Sequence, residues 1–258
     1  MHPVLFKFGN VAIYTYGLFI ALGFLSGIAI AKKEAKRVGE NPERITDLCF
    51  FILIAAIVGA RLLYVITAPE AFLKDPLEIF RIWNGGLVFY GGFIGSFLTT
   101  VVYLRWQGMD LWRTLDILTP GGVFGHFLGR IGCFFAGCCY GEICDLPWAV
   151  TFTNPESLAP TRIPLHPTQL YSALNNLIIF AILWGLRKRK RFHGQIFLIY
   201  VFLYGITRSI IEAFRGDFRG QLILDRFTVS QTLGGLAGVT AVILLVYLYR
   251  RNRAADHG

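Results

Sequence analysis

The fold is decided by an apolar run at residues 48–66, LCFFILIAAIVGARLLYVI, in which Arg61 is the only charged side chain. A helix of about 20 apolar residues is long enough to cross the roughly 30 Å hydrocarbon core of a bilayer. Comparable runs recur at about 14–31, 87–104, 115–136, 170–186, 195–213 and 230–249. The pattern predicts an all-α integral membrane protein with seven transmembrane helices.

The composition excludes an ordinary soluble protein. Hydrophobic residues make up 55% of the 258 residues and charged residues only 16%, whereas a soluble domain carries about 25% charge. The mean hydropathy is +0.55. No polar linker divides the chain, so we expect a single polytopic domain, 1–258. The first apolar run lacks a preceding basic segment and a cleavage signature, so we expect it to be a retained span.

The distribution of charge predicts the topology. The net charge is +9, and the basic residues concentrate in alternate connections, most densely at 32–37, 187–191 and 250–253. Basic connections stay on the cytoplasmic side, which predicts an outer N-terminus and a cytoplasmic C-terminus. No nucleic-acid-binding motif accompanies these residues, so nucleic acid is not an expected partner. The outer connections at 67–86 and 141–169 are rich in proline and aromatic residues and are predicted to hold interfacial amphipathic segments.

Three arginines lie inside apolar runs: Arg61, Arg130 and Arg208. A charge at the centre of a span costs at least ~2.5 kcal/mol, so such residues face a partner, a cavity or a ligand. Glu212 follows Arg208 by four residues and is predicted to lie on the same helical face. Too few acids lie at membrane depth to serve all three arginines. A phospholipid phosphate, which guanidinium binds in a bidentate manner, is the natural alternative.

Two glycine-rich segments, at 84–95 and 120–141, have two interpretations. Pairs spaced by four, Gly91 with Gly95 and Gly121 with Gly125, are typical of close helix packing. Alternatively, the missing Cβ atoms let a lipid headgroup approach the backbone.

A family resemblance joins these features. The matching pieces run in order along the chain: YGL at 16–18, GARLLYV at 59–65, NGGLVFYGG at 84–92, GRIG at 129–132 with Gly141, HPTQLY at 166–171 and YGITRSIIEAFRGD at 204–217. On these residues the chain resembles the prolipoprotein diacylglyceryl transferases.

The resemblance implies an enzyme of the bacterial cytoplasmic (inner) membrane that uses no cofactor and no metal. Such enzymes move the sn-1,2-diacylglyceryl group of phosphatidylglycerol to the thiol of a lipobox cysteine in a prolipoprotein signal peptide. Glycerol 1-phosphate is released, in the first step of bacterial lipoprotein maturation.

Candidate site residues follow residue by residue from the resemblance. Arg130 and Arg208 would bind the phosphate and act catalytically, and Tyr16, Arg61, Gly141 and Glu212 would join them in binding phosphatidylglycerol. Many relatives carry histidine where Tyr90 stands, so the base that activates the thiol is open between Tyr90 and His126, which lies one helical turn before Arg130.

The remaining cysteines and functions stay open. Four cysteines cluster at the outer end of the fourth run: Cys133, Cys138, Cys139 and Cys144. They have three interpretations, which are packing residues, a disulfide of Cys144 with Cys138 or Cys139, and a metal site. Intramembrane arginines are also compatible with an anion or lipid transporter, and a non-catalytic membrane assembly factor is a further alternative.

Overall fold

A computed structural model of the chain describes residues 2–8, 11–72, 75–81, 85–217 and 228–255. Within these ranges the predicted apolar runs form seven α-helices. They are α1 (Thr15–Arg37), α2 (Pro42–Thr67), α3 (Phe89–Gln107), α4 (Leu111–Ala136), α5 (Thr168–Leu186), α6 (Gln195–Glu212) and α7 (Val229–Ala255). The helix at α4 is continuous although Pro120 lies inside it.

Five of these helices, α1, α2, α5, α6 and α7, are long and apolar enough to cross a membrane. Helix α4 carries Asp116, His126 and Arg130, which lower its hydropathy. Large apolar side chains on the helices remain exposed, among them Ile66 and Phe97 at 72% and 59%. Such surfaces are expected where the surrounding solvent is lipid rather than water.

Short elements that the sequence did not predict complete the fold. An antiparallel hairpin, β1 (Val4–Phe8) and β2 (Val11–Tyr14), precedes α1, and a second small sheet pairs β3 (Val150–Thr151) with β4 (Pro164–Leu165). Two 3₁₀ helices, Pro69–Phe72 and Pro76–Phe80, lie in the connection after α2. The connections predicted as interfacial segments, 67–86 and 141–169, thus contain the two 3₁₀ helices and the β3–β4 pair.

The chain divides into two compact units, one formed by Met1–Ile30 with Leu115–Gly258 and the other by Ala31–Thr114. In the larger unit, α1 and α4 meet through glycine backbone. A Cβ atom on Gly23 would lie 2.8 Å from the carbonyl oxygen of Gly125, and Gly27 and Gly121 contact each other in the same way. The packing interpretation of Gly121 and Gly125 is therefore confirmed.

Beyond the glycine contact, α4 packs against α5 and α6 through a buried apolar cluster of Val123, Ile179, Leu183 and Ile196. The buried carboxylate of Asp116 also connects α4 to the start of α6. It accepts hydrogen bonds from Lys190 Nζ at 2.8 Å and from the backbone N–H groups of Gly194 and Phe197 at 2.9 and 3.0 Å. The start of α6 is thereby anchored to α4.

The smaller unit is built on α2 and α3, which also meet through glycines. A Cβ on Gly95 would lie 2.5 Å from the carbonyl oxygen of Ala55, and Gly59 and Gly91 are in direct backbone contact. Arg61 of α2, which is 6% exposed, donates all five of its N–H groups to backbone carbonyls. These are Ile79 at 2.9 Å, Gly85 at 2.6 Å, Gly86 at 3.2 Å, Arg81 at 3.5 Å and Glu78.

The glycine contact predicts a difference between two neighbouring substitutions. Gly121→Ala should lower the free energy of unfolding by about 1–3 kcal/mol, because its Cβ would overlap the Gly27 carbonyl and force α1 and α4 apart. Gly122 is exposed on the same turn with nothing near its Cβ position, so Gly122→Ala is the matched control. Thermal unfolding of both variants in detergent measures the difference. Equal melting temperatures would contradict the close contact.

The Arg61 contacts predict a loss of stability in Arg61→Lys. Lysine keeps the charge but offers three N–H groups instead of five, so carbonyls in the connection after α2 lose their donors. We expect the free energy of unfolding to fall by about 2 kcal/mol or more. The readouts are the melting temperature and the rate of proteolysis between α2 and α3. Arg105→Lys, at an exposed position near the end of α3, is the control, and an equal effect there would refute the assignment.

Candidate active site

Two of the predicted site residues form one unit on α4. His126 and Arg130 are one helical turn apart, and Arg130 Nε donates a hydrogen bond to His126 Nε2 at 3.1 Å. A ring nitrogen that accepts a hydrogen bond carries no proton, so His126 is neutral here, with its proton on Nδ1. The ring of Tyr204 from α6 packs against the His126 ring, with 5.5 Å between centroids. Helices α4 and α6 together therefore hold the imidazole against the guanidinium.

The buried carboxylates of α4 and α6, Asp116 and Glu212, are engaged elsewhere. Asp116 is occupied by Lys190 and the start of α6. Glu212 forms an ion pair with Arg208 on α6, as the spacing predicted, and both side chains are largely buried, at 1% and 13% exposure. Among the residues that the structure describes, Arg130 has no carboxylate partner. Arg130 is therefore a partly buried guanidinium that donates a hydrogen bond to a neutral imidazole.

Gly141 brings the chain back from α4 towards α5 and the end of α6. Its N–H donates to the carbonyl of His166 at 3.0 Å, and a Cβ atom would lie 2.5 Å from His166 Cβ and 2.7 Å from the Phe214 oxygen. Only glycine fits between these two segments. The geometry thus gives Gly141 a packing task, while its predicted contact with phosphatidylglycerol stays a prediction.

Tyr16 begins α1 and lines a cavity of about 380 Å³ together with Tyr14, Cys138 and Glu156. Its ring also packs near Gly132 of α4, where an added Cβ would lie 3.3 Å from Tyr16 Cδ2. Tyr16 therefore belongs to the same unit as Arg130.

Tyr90 and Arg61 belong to the smaller unit. Tyr90 lies on the first turn of α3, is 54% exposed, and makes an edge contact with the ring of Phe89. Arg61 has its five N–H groups on carbonyls, so a phosphate could bind it only by displacing some of them. The contribution of Tyr90 and Arg61 to a lipid site stays a prediction.

Arg215 follows α6 and makes a two-point ion pair with Asp217, at 2.9 Å from Nε and 2.7 Å from Nη2. In the HPTQLY segment, Trp148 Nε1 donates to the Tyr171 hydroxyl at 2.8 Å, and that hydroxyl lies 3.1 Å from His166 Nδ1. The motif therefore ties the start of α5 to the connection before it.

Three of the four clustered cysteines come together beside Arg130. The sulfur atoms of Cys133, Cys138 and Cys139 all lie within 4.8 Å of one another. Cys144, the predicted disulfide partner of Cys138 or Cys139, is not in this cluster. The arrangement depends on the backbone of Cys139, whose φ of +61° is rare for a residue with a side chain. The adjacent cysteines at 138 and 139 were the signal for this cluster in the sequence, but they did not reveal the left-handed backbone at Cys139.

The chain was compared with known proteins. The family model for prolipoprotein diacylglyceryl transferase matches residues 3–247. A phosphatidylglycerol–prolipoprotein diacylglyceryl transferase of Clostridium tetani is 40% identical over 254 residues and covers 98% of both chains. Proteins with the same name from Synechocystis and Finegoldia magna are 34% and 35% identical, over 97% and 98% of this chain and 91% and 97% of their own lengths. The chain therefore belongs to the prolipoprotein diacylglyceryl transferase family, and it is a multi-pass membrane transferase.

Proposed function

We propose that this protein transfers the sn-1,2-diacylglyceryl group of phosphatidylglycerol to the thiol of a lipobox cysteine in a prolipoprotein signal peptide, releasing glycerol 1-phosphate. The names of its relatives supply the two substrate classes. The observation that carries the proposal is Arg130, a guanidinium on α4 with no carboxylate partner in the described part of the chain. The phosphate of the lipid provides the missing anion.

The reaction forms a bond between sulfur and the C3 carbon of the diacylglycerol unit and breaks the bond from that carbon to the phosphate oxygen. The acceptor thiol loses its proton, because thiolate is the nucleophile. The leaving phosphate changes from a monoanionic diester to a monoester that gains a second negative charge. A fixed guanidinium stabilises this charge more strongly in the transition state than in the bound lipid, and more strongly where water is excluded.

Arg208 is the second proposed phosphate ligand. Its ion pair with Glu212 fixes its direction on α6 and offsets its charge while no lipid is bound. Ser209, the next residue, lines an apolar groove of about 580 Å³ between α6 and α7. Gly205, Gly234 and Gly238 line the same groove, which has room for acyl chains. A lipid with its phosphate near Arg208 would have a neighbouring surface for its tails.

The proton of the acceptor thiol must pass to a base. The hydrogen-bond geometry supports His126 as a residue that positions Arg130 rather than as that base. Its Nε2 lone pair already accepts the Arg130 Nε–H. Taking a proton there would break that bond and place a second positive charge beside the guanidinium. Tyr90 remains the other proposed proton acceptor, and Tyr16, Arg61 and Gly141 remain proposed contributors to lipid binding.

The proposed topology has seven spans in the bacterial cytoplasmic membrane, an outer N-terminus and a cytoplasmic C-terminus. A contact supports placing two basic clusters on one side. Arg191 Nη1 donates to the Tyr249 hydroxyl at 3.2 Å, and Asn252 Nδ2 donates to the Arg191 carbonyl at 3.1 Å. The basic residues at 187–191 and at the end of α7 therefore lie at the same end of the larger unit, as the positive-inside rule requires.

The deciding experiment is a lipidation assay. Detergent-solubilised protein, phosphatidylglycerol and a lipobox peptide should give a thioether product by mass spectrometry. Arg130→Ala should lower the rate about 10²–10³-fold, because one fixed cation is removed from the developing charge, and Arg208→Ala should also lower it. Arg105→Ala, an exposed arginine of the other unit, should retain the wild-type rate. Absence of product from the wild type, or full activity of Arg130→Ala, would refute the proposal and favour a transporter or an assembly factor.

A second experiment separates the two tasks of His126. His126→Gln keeps a side-chain oxygen that can accept the Arg130 N–H, whereas His126→Leu does not. If His126 positions Arg130, His126→Gln should retain most of the turnover, and His126→Leu should raise the KM for phosphatidylglycerol and lower kcat. A glutamine variant that folds and binds lipid but has lost turnover would instead identify His126 as the base. Lipid binding is measured separately with labelled phosphatidylglycerol.

A further inference from the structure

The three-cysteine cluster is not used by the proposed reaction. Cys133 lies in the last turn of α4, and Cys138 and Cys139 follow within the next six residues. All three sulfur atoms approach one another within 4.8 Å. A zinc–sulfur bond is about 2.3 Å, so three sulfurs around one ion lie about 4 Å apart. The cluster is therefore within about 1 Å of the spacing that a three-coordinate ion requires.

Neighbouring side chains hold the two loop cysteines in place. Thr168 Oγ1 donates to the Cys139 carbonyl at 2.7 Å, and Gln169 Nε2 donates to the Cys138 carbonyl at 2.9 Å. Both donors are 1% exposed and belong to the first turn of α5. Surrounding hydrogen bonds of this kind fix the direction of metal ligands. The thiols converge because the backbone that carries them is fixed on both sides.

The charges around the three sulfur atoms and the access to them also suit a bound cation. Three thiolates around a divalent ion carry a net charge of −1, and Arg130 and Arg215 lie within electrostatic range of Cys139. Since Asp217 already pairs with Arg215, Arg130 is the principal available counter-charge. Cys138 lines the cavity of about 380 Å³ beside Tyr16, which gives an ion a path to the sulfurs.

We propose that Cys133, Cys138 and Cys139 form a binding site for a soft, thiol-seeking d¹⁰ cation such as Zn²⁺ or Cd²⁺. Soft thiolate ligands select ions of this class over Mg²⁺ or Ca²⁺. On binding, three S–H bonds break, three metal–sulfur bonds form and three protons are released to solvent, without a change of oxidation state. The test below measures metal binding directly, so its outcome does not depend on the proposed transferase activity.

Cd²⁺ titration of the reduced full chain in detergent tests the site. We expect a sulfur-to-cadmium charge-transfer absorption that saturates at one ion per chain, and Zn²⁺ should displace it. Cys133→Ser, Cys138→Ser and Cys139→Ser should each weaken binding by more than about 100-fold, since even the loss of a supporting residue costs 10–100-fold. Cys49→Ser and Cys144→Ser, the matched controls, should bind as the wild type does. A band that survives any cluster substitution, or that is lost in a control, would overturn the proposal.

A labelling experiment on the wild type covers the case in which a variant fails to fold. Saturating Cd²⁺ should protect Cys133, Cys138 and Cys139 from maleimide, while labelling of Cys49 and Cys144 should not change. Protection of fewer than three cluster cysteines would overturn the proposal. Peptides from unreduced protein that join two cluster cysteines would also overturn it, because the pair would then be a disulfide.

Discussion

A guanidinium cannot lose its charge in hydrocarbon, so each buried arginine must be surrounded by acceptors or paired with an anion. The three arginines inside the apolar runs, Arg61, Arg130 and Arg208, meet this constraint differently. Arg61 places every N–H on a carbonyl, and Arg208 pairs with Glu212. Arg130 has a neutral imidazole instead. Arg61 therefore completes its hydrogen bonds within the protein, whereas Arg130 and Arg208 are the two proposed ligands of an external phosphate.

Holding Arg130 in this state requires a rigid α4. Its glycines meet those of α1 at backbone contact distance, and its apolar face packs into the cluster with α5 and α6. The connection that follows is fixed at Gly141 between His166 and Phe214. Because packed cores resist continuous deformation, the guanidinium cannot move to a distant carboxylate. Gly121 and Gly125 of α4 make this contact with α1, which is the packing task that their spacing predicted.

The sequence predicted the helices well because apolar length and glycine spacing are local properties. Seven runs became seven helices in the described ranges, and the spacing of Gly121 and Gly125 identified a real contact. Arg208 with Glu212 was also predictable, since both lie on one helix. The carbonyls around Arg61 were not, because they come from a connection without regular periodicity. The short hairpin before α1 was missed since its strands have only five and four residues.

The cysteines show a second limit of prediction from sequence. Cys133, Cys138 and Cys139 bring their sulfur atoms together at the end of α4 and in the connection that follows it. An acid beside this cluster would give Arg130 a permanent counter-charge, whereas a thiol contributes none until it ionises or binds a metal ion. Spacing along the chain could not reveal this cluster, because the three sulfurs converge only through the left-handed backbone at Cys139.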